Sequence, residues 1–260
     1  MSGLWRNAAH EYFVSALLDD DHLVEVGPLR SVTTFLKALA NPAFIGWATR
    51  ETAAAAIRNL PTLAAMVAES GPAAAQKWLQ TKPGYIKDNA ADLGTRAHML
   101  AEAVARGEEI GEEDQANPKI RQYLRFLEEW QPRFVGIEQM VVNFTEGYAG
   151  TADLWAWLDG ELWLLDIKTG KGTYPDMALQ LAGLHHGEWW GWPDRPDLMI
   201  APKATRFGIL HLQDDKYDLL EYNVTEEDYS AFLAIKRTFE WTEGRAKSVV
   251  LGPVKREVAT

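Results

Sequence analysis

Gly150-Thr151-Ala152-Asp153 opens a stretch that runs through Leu154-Trp155-Ala156-Trp157-Leu158, turns at Asp159-Gly160, and closes on Glu161-Leu162-Trp163-Leu164-Leu165-Asp166-Ile167-Lys168-Thr169-Gly170. Both runs are rich in Leu and Trp and read as strands, and a two-residue Asp-Gly between apolar runs signals a tight hairpin. With that loop, Leu158 faces Glu161 and, counting outward, Asp166 falls opposite Asp153. Side chains alternate along a strand, so Lys168 lies on the same side as Asp166, one pleat on. Like charges opposed across a hairpin are destabilising unless something cationic sits between them. A divalent metal held by carboxylate oxygens, with a lysine beside it, resolves the conflict. The plain alternative is a hairpin edge carrying two solvated aspartates. The apolar run 162–165 weighs against it, because such strands are central and ionised pairs are costly there without partners.

Outward from this hairpin, residues 134–144 read as a further strand, set off by Gly147. Pro175 opens a helix expected over 175–190, and short strands follow at 198–201, 207–212 and 217–222. Thr225-Glu226-Glu227-Asp228 has the form of a capping box and begins a last helix, expected over 225–244. Toward the N-terminus the period is helical over 33–82, interrupted by Pro61 and Gly71-Pro72, then over 87–106, and over 118–130 with Pro118 in the first turn. Residues 1–30, punctuated by Asp19-Asp20-Asp21 and Gly27-Pro28, read as irregular. The expectation is an α/β (mixed α+β) fold. A helical N-terminal region over 1–86 packs on a core over 87–260, whose central mixed β-sheet is flanked by helices.

Composition narrows the classes of function. The 260 residues are 47% hydrophobic and 24% charged, a globular composition rather than a collagen-like or disordered one. No run approaches about 18 apolar residues, and no basic-then-apolar signal pattern opens the chain, so no membrane partner and a cytoplasmic location are expected. With zero cysteines, disulfides, thiolate nucleophiles and any iron–sulfur cluster are excluded. The net charge of −11 argues against a broad basic coat for nucleic acid. That acidity is concentrated: twelve of the 37 acids and one of the 26 bases lie in 108–114 and 214–228, leaving 25 of each elsewhere. A local basic groove is compatible with such a balance.

Gly150-Thr151-Ala152-Asp153, Asp166-Ile167-Lys168-Thr169-Gly170 and, on the next helix, Gln180 together resemble the core motifs of the PD-(D/E)XK nucleases in their RecB-like exonuclease form. That subgroup adds a Gly-x-x-x-His helix upstream, and Gly94-Thr95-Arg96-Ala97-His98 supplies it. The resemblance covers residues 90–190, and Ser31-Val32-Thr33-Thr34-Phe35, with Pro42 and Trp47-Ala48, is similar to N-terminal regions of phage-encoded members. It implies a restriction-endonuclease-like core and a divalent-metal-dependent DNA exonuclease working in replication, recombination or end processing, in the host cytoplasm if phage-encoded. Asp153, Asp166 and Lys168 would be the catalytic set. Asp153 and Asp166 would ligate two ions of Mg²⁺ or Mn²⁺, the Ile167 backbone carbonyl would be a further oxygen ligand, and His98 would complete one metal's shell. Lys168 would orient the attacking water and stabilise charge on the phosphate, and Gln180 would contact the DNA or a metal-bound water. DNA is the implied substrate, with recombination or replication proteins as partners; nothing is implied about oligomeric state. Two departures stand out. The family's Gln-x-x-x-Tyr becomes Gln180 followed by Leu184, His185 and His186, and the four cysteines of cluster-bearing members are missing.

The chemistry fits independently: phosphodiester hydrolysis needs a metal to activate water near neutral pH, and oxygen ligands with one imidazole suit Mg²⁺ or Mn²⁺. Two other readings compete. One is a DNA-end-binding module with the same fold and no turnover. The other is a glycoside hydrolase using Asp153 and Asp166 as paired carboxylates, which gives Lys168 and His98 no task. Around the motif, Glu102 lies one turn beyond His98 and either orients the imidazole or is solvated. Glu138 reaches the site if its face turns inward. His185 and His186 read as helix-surface residues, and most of the tryptophans as core or rim packing rather than base-stacking platforms. By position alone, Lys77, Lys82 and Tyr85-Ile86-Lys87 are candidates to line a DNA channel.

Overall fold

A computed structural model describes residues 3–19, 22–39, 42–193, 195 and 197–250. In chain order the strands β1 (Gly3–Arg6), β2 (Tyr12–Asp19) and β3 (His22–Leu29) come first. Helices α1 (Val32–Leu36), α2 (Pro42–Arg58), α3 (Leu60–Ser70), α4 (Pro72–Ala105), α5 (Glu112–Gln115) and α6 (Pro118–Trp130) follow. Then come β4 (Arg133–Asn143), β5 (Tyr148–Leu158), β6 (Glu161–Lys168), α7 (Met177–His185), β7 (Trp189–Gly191), β8 (Met199–Ile200), β9 (Arg206–Leu212), β10 (Tyr217–Glu221) and α8 (Glu226–Glu243). The fold is mixed α+β, as the sequence pattern implies. Among the described residues no helix is long and apolar enough to cross a membrane.

The main sheet has the order β10-β9-β6-β5-β4-β7-β8. Its pairs are antiparallel except β6 with β9, which run parallel. The β5–β6 hairpin has the register its two-residue turn dictates, with Leu158 against Glu161 through to Leu154 against Leu165. Asp159 and Gly160 both have positive φ, 48° and 85°, the backbone hand that matches strand twist in a tight hairpin. Alternation along β6 decides the layers. Leu165 and Ile167 pack with Ile120, Tyr123 and Phe126 of α6 and Ala101 of α4. Leu164 packs the other way, with Leu181 and Leu184 of α7, Phe232 of α8 and Phe35 of α1. The central strand is therefore covered on both faces, which is why it reads as nearly continuous hydrophobic sequence.

Several boundaries differ from the sequence pattern. Residues 3–29 are not irregular, and the N-terminal region is not wholly helical: β1, β2 and β3 form an antiparallel sheet in that order. Tyr12, Val14 and Leu29 of this sheet are buried against Val142, Ala149 and Leu198 of the larger one, so its reason to exist is tertiary and leaves little local trace. The helix expected to begin at residue 87 starts at Pro72 and runs unbroken past residues 86 and 87, with Pro83 inside it. The helix expected to reach residue 190 stops at His185, and Trp189–Gly191 instead pairs with β4. At the last helix the capping box that the sequence suggested is present, with the Asp228 carboxylate accepting the Thr225 backbone N–H at 2.7 Å.

Candidate functional site

Three adjacent strands each deliver one carboxylate to the same level of the sheet. On β4, Glu138 stands between the pairs Ile137–Leu154 and Gln139–Ala152, level with Asp153 of β5. Asp166 of β6 stands one step beyond the Leu154–Leu165 pair that closes the β5–β6 ladder. There the ladder gives way to a side chain: Asp153 Oδ2 accepts the backbone N–H of Ile167 at 2.6 Å. Glu138 has φ 47°, a left-handed conformation that side chains adopt only where the surroundings enforce it.

Helix α4 brings His98 over this row, its Nδ1 lying 3.6 Å from Asp153 Oδ2. One turn earlier, a Cβ on Gly94 would sit 3.1 Å from Thr169 Oγ1, just past Lys168, a tight contact that glycine avoids. Gly150 serves the same end on β5: a Cβ there would come within 2.5 Å of Leu184 and 3.3 Å of Val32, so glycine lets α7 and α1 close on the sheet. From α7, Gln180 donates from Nε2 to Asp166 Oδ1 at 2.6 Å, and its Oε1 accepts from Lys168 Nζ at 3.4 Å. Lys168 forms an ion pair with the other oxygen of Asp166. These groups line a cleft of about 750 Å³ with Arg6, Tyr12, Ser31 and Thr151 at its walls.

Burial and mutual repulsion dominate the electrostatics. The Asp153 carboxyl is held well above the usual carboxylate range by burial, then by the charges of Asp166 and Glu138. Burial and the neighbouring Glu102 push Glu138 up to about 7. Burial lowers His98, with Asp166 acting the other way, so the imidazole is neutral at pH 7 and keeps one ring nitrogen with a lone pair that could ligate. Burial acts to lower Lys168, but Asp166 and Asp153 outweigh it and keep the ammonium charged.

One ligand atom from each of His98, Glu138 and Asp153 lies within 4.8 Å of the others. Two carboxylates and a neutral imidazole, with a third carboxylate beside them, are a donor set for a divalent cation of the Mg²⁺ or Mn²⁺ kind, and such a cation relieves the repulsion that raises Asp153 and Glu138. No protein-family model matches the chain, and no curated protein matches it.

Of the residues that the sequence singles out, His98, Asp153, Asp166, Lys168 and Gln180 line one cleft, while the Ile167 side chain is buried in the core and only its backbone meets Asp153. Asp166 has both oxygens engaged by Gln180 and Lys168, while Glu138 joins His98 and Asp153 in the close triad. The sequence carried a signal for Glu138. Asn143 pairs with Tyr148 across the loop that holds Gly147, and counting outward from that pair brings Glu138 level with Asp153. Glu102 does not orient His98; it pairs with Arg106 at 2.6 Å on the same helix. His185 and His186 lie outside the cleft, where His186 stacks on Tyr229 at 3.6 Å between ring centres. Trp155 is wholly buried core, Trp157 lies under the Arg133 guanidinium, and Lys82 sits over Trp78. The side chains of Tyr85, Ile86 and Lys87 lie outside the described residues.

Proposed function

We propose that the chain is a divalent-metal-dependent deoxyribonuclease of the PD-(D/E)XK type, RecB-like and cluster-free, acting as an exonuclease on DNA in replication, recombination or end processing. The observation that carries this reading is the row Glu138, Asp153 and Asp166 on three neighbouring strands, with His98 above it and a charged lysine beside it. His98, Glu138 and Asp153 would hold a metal ion, with Asp166 and the Ile167 carbonyl next to them. Such an ion supplies activation of water near neutral pH and neutralises charge on the scissile phosphate.

The chain's own residues do the rest. Lys168 stays protonated, so it offers positive charge to the phosphate oxygens rather than a base to the water. Gln180 holds the Asp166–Lys168 pair in place through both ends of its amide, which fixes the ammonium relative to the carboxylates. Ile167 N–H fixes Asp153 in turn.

The test is digestion of end-labelled linear, circular and single-stranded DNA with Mg²⁺ or Mn²⁺, by the wild type and by Asp166→Ala and Lys168→Ala. Release of short products from linear ends, lost in EDTA and in both variants while the folded melting transition survives, is the expected result. A wild type that leaves every DNA intact, or variants as active as the wild type, would refute the reading.

A further inference from the structure

Beside the carboxylate cleft a second concavity of about 740 Å³ follows β4, and the two share Arg6, Glu102, Glu138 and Thr151. Beyond the shared residues it is lined by Trp5, Phe134, Trp192 and Arg106. The two tryptophans come from distant parts of the chain and are brought together by construction. Leu4 N–H donates to the Trp192 carbonyl at 3.2 Å, and Gly3 bridges to Pro193. Only glycine fits at that crossing: Gly3 has φ 91°, and a Cβ there would lie 2.3 Å from the Trp192 carbonyl oxygen.

Unlike Trp155 and Trp190, which are core, Trp5 and Trp192 are only partly buried, Trp192 packing by one side against the core. Each ring has a neighbour that steadies it: the Trp5 ring stacks on Phe13 with centroids 5.8 Å apart, and the exposed Arg195 guanidinium lies 5.2 Å from the Trp192 ring. Arg6, next to Trp5 and exposed, has no ion pair among the described residues. The groove therefore offers partly buried aromatic rings and an exposed guanidinium whose charge also reaches Glu138, and it adjoins the row of carboxylates. Bases that are free of pairing stack on such rings while their phosphates meet the cation. A duplex keeps its base faces inside its own stack and has nothing to offer the rings.

We propose that this groove seats an unpaired DNA strand next to the scissile phosphate, with bases against Trp5 and Trp192 and backbone against Arg6. The proposal rests on the nuclease reading of the adjoining cleft. It is tested apart from turnover, by the anisotropy of a fluorescein-labelled oligothymidylate and of a blunt duplex of the same length, in EDTA at low salt. Tighter binding of the oligothymidylate by the wild type is expected. Trp5→Ala and Arg6→Gln should each weaken it about fivefold or more, with the duplex little changed and with a shallower salt dependence for Arg6→Gln. Trp5→Phe should restore most of the binding lost in Trp5→Ala, and Trp192→Ala takes the place of Trp5→Ala if that variant does not fold. Preference for the duplex, no binding of either DNA, or unchanged binding in Arg6→Gln and in the Trp→Ala variant would overturn the groove assignment. The two readings fail separately: Trp5-dependent binding without hydrolysis by the wild type refutes the nuclease alone, and hydrolysis without any effect of Trp5 or Arg6 refutes the groove alone.

Discussion

The two ends of the β4–β5–β6 layer follow opposite rules. At the turn end the ladder is continuous, from Trp157–Leu162 to Leu158–Glu161, and the strands are filled with apolar side chains that helices cover on both faces. At the other end three carboxylates stand level on adjacent strands, a side chain replaces a ladder bond, and Glu138 takes a left-handed backbone. The contrast teaches that the apolar end provides the stability that lets the acidic end keep mutually repelling groups in register. Each end should therefore answer mutation in its own way.

The largest effect is expected at the acidic end. Asp153→Asn keeps an acceptor for Ile167 N–H but removes a buried charge and a ligand. DNA hydrolysis should fall by roughly a thousandfold, the loss of several kcal/mol of transition-state stabilisation. The same substitution should raise, not lower, the Tm of the metal-free protein, because burial and two acidic neighbours oppose the ionised aspartate. A variant that is both active and less stable would break the comparison.

At the apolar end the sign reverses. Leu164→Ala opens a cavity between β6 and the α7–α8 layer, and denaturant unfolding should show a loss of about 2–5 kcal/mol. An effect below 1 kcal/mol would mean that this end does not anchor the sheet.

Glu138 sharpens the contrast through pH. Its folded-state carboxyl titrates at about 7 against an ordinary 4.5, so between those values the folded protein holds a proton that the unfolded chain has lost. The contribution is fully present below the unfolded value and is lost as pH rises through 7. Metal-free wild type should therefore lose stability between pH 5 and 8 more steeply than Glu138→Gln, as melting curves across that range would show; parallel curves would contradict the assignment. The smallest effect belongs to Glu102, whose partner is Arg106 at the helix surface: Glu102→Ala should change stability by no more than about 0.5 kcal/mol.

How much of this the chain declares in its sequence follows the same division. The β5–β6 hairpin is written locally, since Asp159-Gly160 fixes the turn and the turn fixes the register. From that register the neighbourhood of Asp153, Asp166 and Lys168 follows. The helical pattern over 87–106 places His98 on a helix, and glycine at position 94 avoids a tight contact with Thr169. The N-terminal sheet is not written locally. Its buried positions, Tyr12, Val14 and Leu29, acquire meaning only against Val142, Ala149 and Leu198, more than a hundred residues on. The second groove was hidden for that reason, because it needs β1 beside the chain after β7. Glu138 is intermediate: its alignment follows from the β4–β5 loop, but its positive φ is imposed by the assembled sheet and has no local signature.

The most direct test of the acidic end is calorimetric titration of the metal-free protein with Mn²⁺ at pH 7.5, wild type against Asp153→Asn. Saturable binding by the wild type, weakened at least tenfold in the variant, is the predicted result. Equal affinity in the two proteins, or no binding by the wild type, would contradict a cation site built by Glu138, Asp153 and His98.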